Sequence, residues 1–215
     1  GALWGTLKEG AMSLLPLASY SPEQYTAAME SFQCKMHYWG ITGVLCLSSV
    51  LFEHIFTALR TMEHSGHLAL HIGGAMTINH IDDLYRQVDA LCACRDKFRS
   101  GLVQVRTAKF FADGVVEGRT SCLLELYQSG HNTEPAGFGK CIWSPADLSS
   151  AFHECNKRAF QIHVHATGDG AVKMVLDALS AAGSTSANRH TVTHLQLVEE
   201  TDVARFAALG VIANV

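Results

Sequence analysis

This sequence contains no long apolar run. Its hydrophobic stretches are short and broken by polar residues, so no segment reads as a membrane-spanning helix. A strong charge of either sign is also missing. The formal net charge is −4 at pH 7, which leaves no electrostatic footprint for a nucleic-acid partner. Low-complexity tracts, heptad arrays and short repeats are absent, which excludes coiled coils and solenoids. The opening residues, Gly1-Ala2-Leu3-Trp4-Gly5, have no positively charged region and do not read as a secretory signal. The 7 cysteines are irregularly spaced, and their one close pair, Cys92-Ala93-Cys94, is too tight for a usual zinc knuckle. They are expected to be reduced and mostly buried thiols in a cytoplasmic protein.

What is present is the balance of a globular domain with a real core: 48% hydrophobic and 17% charged residues. The 215 residues fit one domain or most of an α/β barrel, which takes about 250 residues. A rhythm runs along the chain: a short β-type run, a polar loop, then a helical pattern. Ser21-Pro22-Glu23-Gln24 predicts a helix start, with Ser21 as cap, Pro22 in the first turn and Gln24 at the capping-box position. That helix should end near Tyr38. Strands are predicted over 41–47, 68–72, 102–105, 107–112, 160–165, 190–195 and 211–215, the third and fourth runs belonging to one unit. Helices are predicted over 50–64, 80–96, from Ser144, over 170–182 and over 199–208. The polar stretch 114–143 is too long for a plain connection and is expected to be functional. About six strands alternating with helices imply parallel crossovers, in either an open sheet or a barrel. The sequence stops directly after a strand and is expected to be truncated there.

Three places could carry chemistry, each at a strand end. Lys109, in Thr107-Ala108-Lys109-Phe110-Phe111-Ala112-Asp113-Gly114, sits among apolar neighbours, where an amine must be paired, modified or snorkelled. In His163-Val164-His165-Ala166-Thr167-Gly168-Asp169 the two histidines are two apart and share a face of their strand, so together they could hold a metal such as zinc. Asp169 could orient a ligand or cap the helix after it. His190 and His194 are four apart, which again predicts a common face. The plainer reading of each histidine is a satisfied core or surface group, weakened by two such pairs on consecutive strands.

These residues resemble a known family. Lys109-Phe110-Phe111-Ala112-Asp113-Gly114, then Arg119-Thr120, then His165-Ala166-Thr167-Gly168-Asp169 with Ala171, then Arg189-His190-Thr191-Val192-Thr193-His194-Leu195-Gln196-Leu197-Val198 are similar to the YtcJ-like branch of the amidohydrolase superfamily, which includes N-substituted formamide deformylases. Trp39-Gly40-Ile41-Thr42-Gly43-Val44 resembles that family's entry into its second strand, and Gly5-Thr6-Leu7-Lys8-Glu9 a segment before its first barrel helix.

The resemblance implies a partial TIM-like (β/α)₈ barrel, with strands two to seven present. It treats 1–215 as one incomplete barrel domain, an N-terminal segment over 1–20 followed by β/α repeats over 21–215. It implies a metal-dependent hydrolase of C–N bonds other than peptide bonds, acting on a small amide or formamide, with one or two divalent metals, zinc being expected. Lys109 would be the fourth-strand ligand, possible in carboxylated form; His165 would be the fifth-strand ligand and His194 the sixth. Asp169, Asp113, Arg119, His163 and His190 would contact substrate or support the ligands. The family's first-strand His-x-His and eighth-strand aspartate have no counterpart in this sequence, His163 stands where the family has an apolar residue, and Thr193 stands where it commonly has glutamate. The chain alone is therefore expected to be inactive, to bind metal weakly or not at all, and either to self-associate through exposed sheet edges or to cover the open sheet with its N-terminal segment. Two alternatives stand beside this reading: a Schiff-base barrel enzyme using Lys109, and a non-catalytic binding or structural domain.

Overall fold

The computed structural model of this chain describes residues 15–16, 20–47, 52–79, 81–128 and 137–215. The expectations placed on Gly5–Glu9, and on the starts of the helices at residues 50 and 80, lie outside them. Among the described residues thirteen elements follow one another. They are α1 (Pro22–Tyr38), β1 (Gly43–Cys46), α2 (Phe52–His64), β2 (His71–Thr77), α3 (Leu84–Lys97), β3 (Val103–Phe111), α4 (Pro145–Lys157), β4 (Gln161–Ala166), α5 (Asp169–Ala181), a 3₁₀ turn (Ser186–Asn188), β5 (Thr191–His194), α6 (Glu200–Leu209) and β6 (Ile212–Asn214). The six strands form one sheet in the order β1-β2-β3-β4-β5-β6, every pair parallel. The sheet curls into part of an α/β barrel, as expected.

Local chemistry sets the helix starts. Ser21 Oγ accepts the Gln24 N–H at 3.3 Å, and Gln24 Oε1 accepts the Ser21 N–H at 2.8 Å, closing a capping box before α1. Ser144 caps α4 in the same way through the Asp147 N–H, ahead of Pro145.

One sheet face packs on the helices. Phe110, Ile162, Val164, Ala166 and Val192 are fully buried there with Phe152, Val172 and Leu176. Their strand neighbours face the other way, and the register aligns them: Lys109 opposite His163, Phe111 opposite His165, His163 opposite Thr191 and His165 opposite Thr193. Lys109, His163 and His165 therefore project from the face away from the helices, and β-alternation delivers them.

Two expectations need correction. The second strand runs over His71–Thr77, later than 68–72. Gly73-Gly74 reads locally as a breaker, yet a Cβ at Gly74 would lie 2.4 Å from the Phe56 ring, so glycine is the residue this packing requires. The β-runs 102–105 and 107–112 form one strand, as expected, with a bulge at Arg106, where the β2 register passes from Val105 to Thr107. Finally, the thiols are not all reduced, because Cys122 and Cys141 form a disulfide. Cys155 is buried and free as expected, whereas Cys34 is exposed.

Candidate functional site

Lys109, His165 and His194 come from the C-terminal halves of three consecutive parallel strands. Strand β3 presents Lys109 on the face away from the helices, because Phe110 beside it is consumed by the core, stacking edge-on with Phe152 at 5.0 Å. Lys109 is 3% exposed and makes no ion pair with an acid among the described residues. Its Nζ lies 4.8 Å over the Phe111 ring. Burial without a counter-charge pushes its pKa down to about 8. A substantial neutral amine fraction follows at physiological pH.

His165 projects from the same face two registers up. Its Nε2 lies 2.7 Å from the Gly114 carbonyl oxygen. A carbonyl can only accept, so Nε2 carries the proton and the lone pair is left on Nδ1. The His194 ring meets the His165 ring edge-on, with centroids 4.5 Å apart.

Strict alternation would have sent His194 to the helix side, because it pairs with Ala166 and follows two residues after Val192. Instead the backbone turns left-handed, with φ +84° at His194 and +47° at Leu195. Such values are uncommon for residues other than glycine and mark functional positions when the surroundings enforce them. Here the Leu195 N–H donates to the Ala166 carbonyl and the Leu197 N–H to the Thr167 carbonyl, holding the turn. Burial first, then the neighbouring His165 and Lys109, keep His194 below the ordinary histidine range, with Asp113 opposing. The three expected ligands thus share one neighbourhood.

The supporting residues divide. Asp113, wholly buried, accepts the N–H groups of Cys122 at 3.0 Å, Thr167 at 3.0 Å and Gly168 at 2.8 Å. It also lies 3.7 Å from His165 Nε2. It therefore ties the end of β3 to the turn after His165. Asp169 is the first residue of α5 rather than its cap; Gly168 is the N-cap. Its Oδ1 accepts the Leu124 N–H at 2.9 Å, so it clamps the long loop. Arg119 stays within that loop, donating to the Gln128 carbonyl and lying over the Tyr127 ring.

His190 does not join His194. It precedes β5 at the opposite end of the strand, where its Nδ1 accepts the Ile162 N–H at 2.9 Å and its carbonyl accepts the Ile212 N–H. Burial pushes its pKa down to about 4. His163 lies beside Lys109, also buried and pushed down to about 4 by burial, then by Lys109 and His194.

Several residues escaped the sequence reading. The 114–143 loop carries no helix or strand among the described residues, but it docks tightly. Ala171 donates its N–H to the Cys122 carbonyl at 3.1 Å, and Leu123 donates to the Phe138 carbonyl at 2.7 Å. Thr167 Oγ1 sits among Ser121 Oγ, the Gly114 carbonyl and Asp113. A Cβ at Gly168 would fall 2.2 Å from the Cys122 carbonyl oxygen, and one at Gly139 would fall 1.7 Å from that of Ser121. The loop backbone passes where only glycine leaves room.

No group of three or more His, Cys, Asp or Glu side chains among the described residues is placed to hold a metal ion. The donor set available is two imidazoles and an amine. The His165–His194 contact and the depressed, unpaired Lys109 fit a divalent metal bound through nitrogen and, after carboxylation, oxygen.

The sequence profile described as "Amidohydrolase family" matches residues 1–215. The exoenzymes regulatory protein AepA of Pectobacterium carotovorum is 24% identical over 174 residues, covering 80% of this chain and 36% of that protein. The Bacillus subtilis protein YtcJ is 26% identical over 116 residues, covering 54% of this chain and 21% of that protein. In three dimensions, an uncharacterized metal-dependent hydrolase from Pyrococcus furiosus superposes with a TM-score of 0.71 at 22% identity, covering 94% of this chain and 40% of that one. The chain therefore spans well under half the length of these relatives.

Proposed function

This chain belongs to the amidohydrolase family, and from that premise we propose that the protein containing it is a metal-dependent hydrolase of non-peptide C–N bonds, with a small amide or formamide as substrate. The observation that carries the reading is the meeting of His165 and His194, rings 4.5 Å apart on adjacent strand ends, near a buried lysine with no acidic partner among the described residues. Lys109, His165 and His194 would hold the metal, zinc by their chemistry. A metal held there would supply Lewis acidity toward a scissile carbonyl and lower the pKa of water. The chain's own residues orient and exclude. Gly114 fixes the His165 tautomer, Asp113 and Thr167 hold the turn beside it, and Phe111 walls one side of the Lys109 amine.

The test uses the full-length protein. Metal analysis should find a divalent ion, zinc by preference, and hydrolysis of an amide and formamide panel should be chelator-sensitive. Lys109→Ala, His165→Ala and His194→Ala should each lose metal. A metal-free protein that is nonetheless active, or three variants that keep full metal content, would end the reading. The depressed amine also suits a Schiff-base enzyme. Borohydride trapping of a carbonyl substrate on Lys109 is the result that would favour it.

A further inference from the structure

Three successive layers of side chains project from the sheet face away from the helices. In the lowest, Thr107 Oγ1 donates to Gln161 Oε1 at 2.9 Å, and Gln161 Nε2 donates to the Arg189 carbonyl at 2.6 Å. In the highest, His165 Nε2–H donates to the Gly114 carbonyl, and Asn214 Nδ2 donates to Thr193 Oγ1 at 2.9 Å. Neither layer leaves a fully buried side-chain nitrogen or oxygen without a partner among the described residues. The middle layer holds Lys109, His163 and Thr191. There both ring nitrogens of His163 are buried without a hydrogen-bond partner among the described residues, and the residue is 3% exposed.

A neutral imidazole has one N–H donor and one lone-pair acceptor. A lysine ammonium can donate to the acceptor but cannot accept from the donor, and neither ring nitrogen of His163 has Lys109 or any other described group within hydrogen-bond reach. The ring N–H is therefore left without an acceptor on the unmodified side chain. Lys109 is the register partner of His163 across the β3–β4 ladder, projecting from the same face. A carbamate on Lys109 would add two acceptor oxygens beyond Nζ in the layer that holds His163.

We propose that His163 is the positioning residue of a carboxylated Lys109, its ring N–H donating to a carbamate oxygen and fixing the carbamate plane. This rests on the reading that Lys109 serves the metal group. The modification balances without enzyme chemistry. The Nζ lone pair attacks the carbon of CO₂, a C–N bond forms, one C–O π pair moves onto oxygen, and the Nζ proton leaves to solvent. His163 does not touch substrate; it acts through Lys109.

The experiment uses the full-length protein equilibrated with ¹³C-bicarbonate and read by ¹³C NMR, with metal content measured on the same samples. Wild type should show a carbamate resonance that Lys109→Ala abolishes. His163→Leu removes two unpartnered polar atoms from a buried site and should keep the fold, checked by circular dichroism. Its carbamate occupancy should fall by about tenfold, the factor one hydrogen bond to a charged group is worth. His163→Gln, which restores an N–H donor, should recover most of the signal. Full carbamate signal in His163→Leu overturns the assignment. So does a wild type that binds metal through Lys109 without any carbamate, an outcome that leaves the metal reading standing. Absence of both metal and carbamate sinks the two together.

Discussion

Asp113→Asn isolates what holds the turn after His165. The carboxylate accepts three backbone N–H groups, with Oδ2 taking Cys122 and Gly168 and Oδ1 taking Thr167. Asparagine has one acceptor oxygen and one NH₂ donor. If its oxygen takes the Oδ2 position, the Cys122 and Gly168 bonds survive in neutral form, while the NH₂ confronts the Thr167 N–H. The flipped amide loses two bonds instead of one. A lost bond to a charged acceptor costs roughly 1.5–3 kcal/mol, and each surviving bond loses about half its strength. Burying an amide rather than a carboxylate offsets part of this, leaving a net loss of about 3 kcal/mol. Against a typical total of about 5–15 kcal/mol this is large. Urea unfolding followed by tryptophan fluorescence should report it, since Trp143 donates to the Phe111 carbonyl beside the site. Amide exchange should accelerate first at Cys122, Thr167 and Gly168. A loss below about 1 kcal/mol, or acceleration spread evenly over the sheet, would refute the idea that Asp113 anchors this turn.

Three further outcomes follow from the same structure. His190 has its pKa pushed down from 6.5 to about 4 while its Nδ1 accepts the Ile162 N–H. The folded state thus binds fewer protons than the unfolded one in this window, and its contribution is complete above pH 6.5. It drains away as pH falls toward 4, by roughly 3 kcal/mol. His190→Asn keeps an acceptor and does not titrate, so its unfolding free energy should fall less steeply over that range; parallel pH profiles would contradict this. The Cys122–Cys141 link closes a loop of sequence separation 19, and its removal by Cys141→Ser should cost about 3 kcal/mol. Thiol titration of the unreduced, denatured chain should find the five free cysteines 34, 46, 92, 94 and 155, and a count of seven would remove the bond. Gly168→Ala should cost about 1–3 kcal/mol through overpacking against the Cys122 carbonyl, and should break the Ala171 N–H bond to that carbonyl, visible as fast exchange at Ala171.

Where sequence and structure agree, the signal was local or strictly periodic. Ser21-Pro22-Glu23-Gln24 carries its capping box in four residues, and the structure closes it. His163 and His165 share a face because both lie inside a regular strand flanked by buried Ile162 and Val164. Period-two reasoning fails at a strand end. His190 and His194 are even-spaced, yet His190 lies before the strand begins and the left-handed backbone at His194 re-aims its ring. Nothing in Thr193-His194-Leu195 announces that turn, because the bonds holding it come from the carbonyls of Ala166 and Thr167, on another strand's end. Gly74 is held inside β2 for a similar reason: Phe56, on a preceding helix, leaves no room for a Cβ there. The disulfide was invisible because both cysteines lie in a loop whose path is set by Asp113, Asp169 and two glycines.

The most recognisable stretch, His165-Ala166-Thr167-Gly168-Asp169-Gly170, is mainly a docking surface for the 114–143 loop. Of these residues His165 alone meets another candidate ligand, the His194 ring, and even its orientation comes from the Gly114 carbonyl. Thr167 bonds Asp113 and meets Ser121, Gly168 and Gly170 make room for the Cys122 carbonyl, and Asp169 holds the Leu124 N–H. Four of these six residues are thus accounted for by a loop more than forty positions earlier in the chain. The requirement is physical: an imidazole on a strand end can be aimed only as well as the backbone around it is fixed. The loop supplies that rigidity with backbone donors, a carboxylate, and a covalent link to Cys141. A change in the loop's docking should therefore move His165 and, through the carbonyls of Ala166 and Thr167, the turn that carries His194.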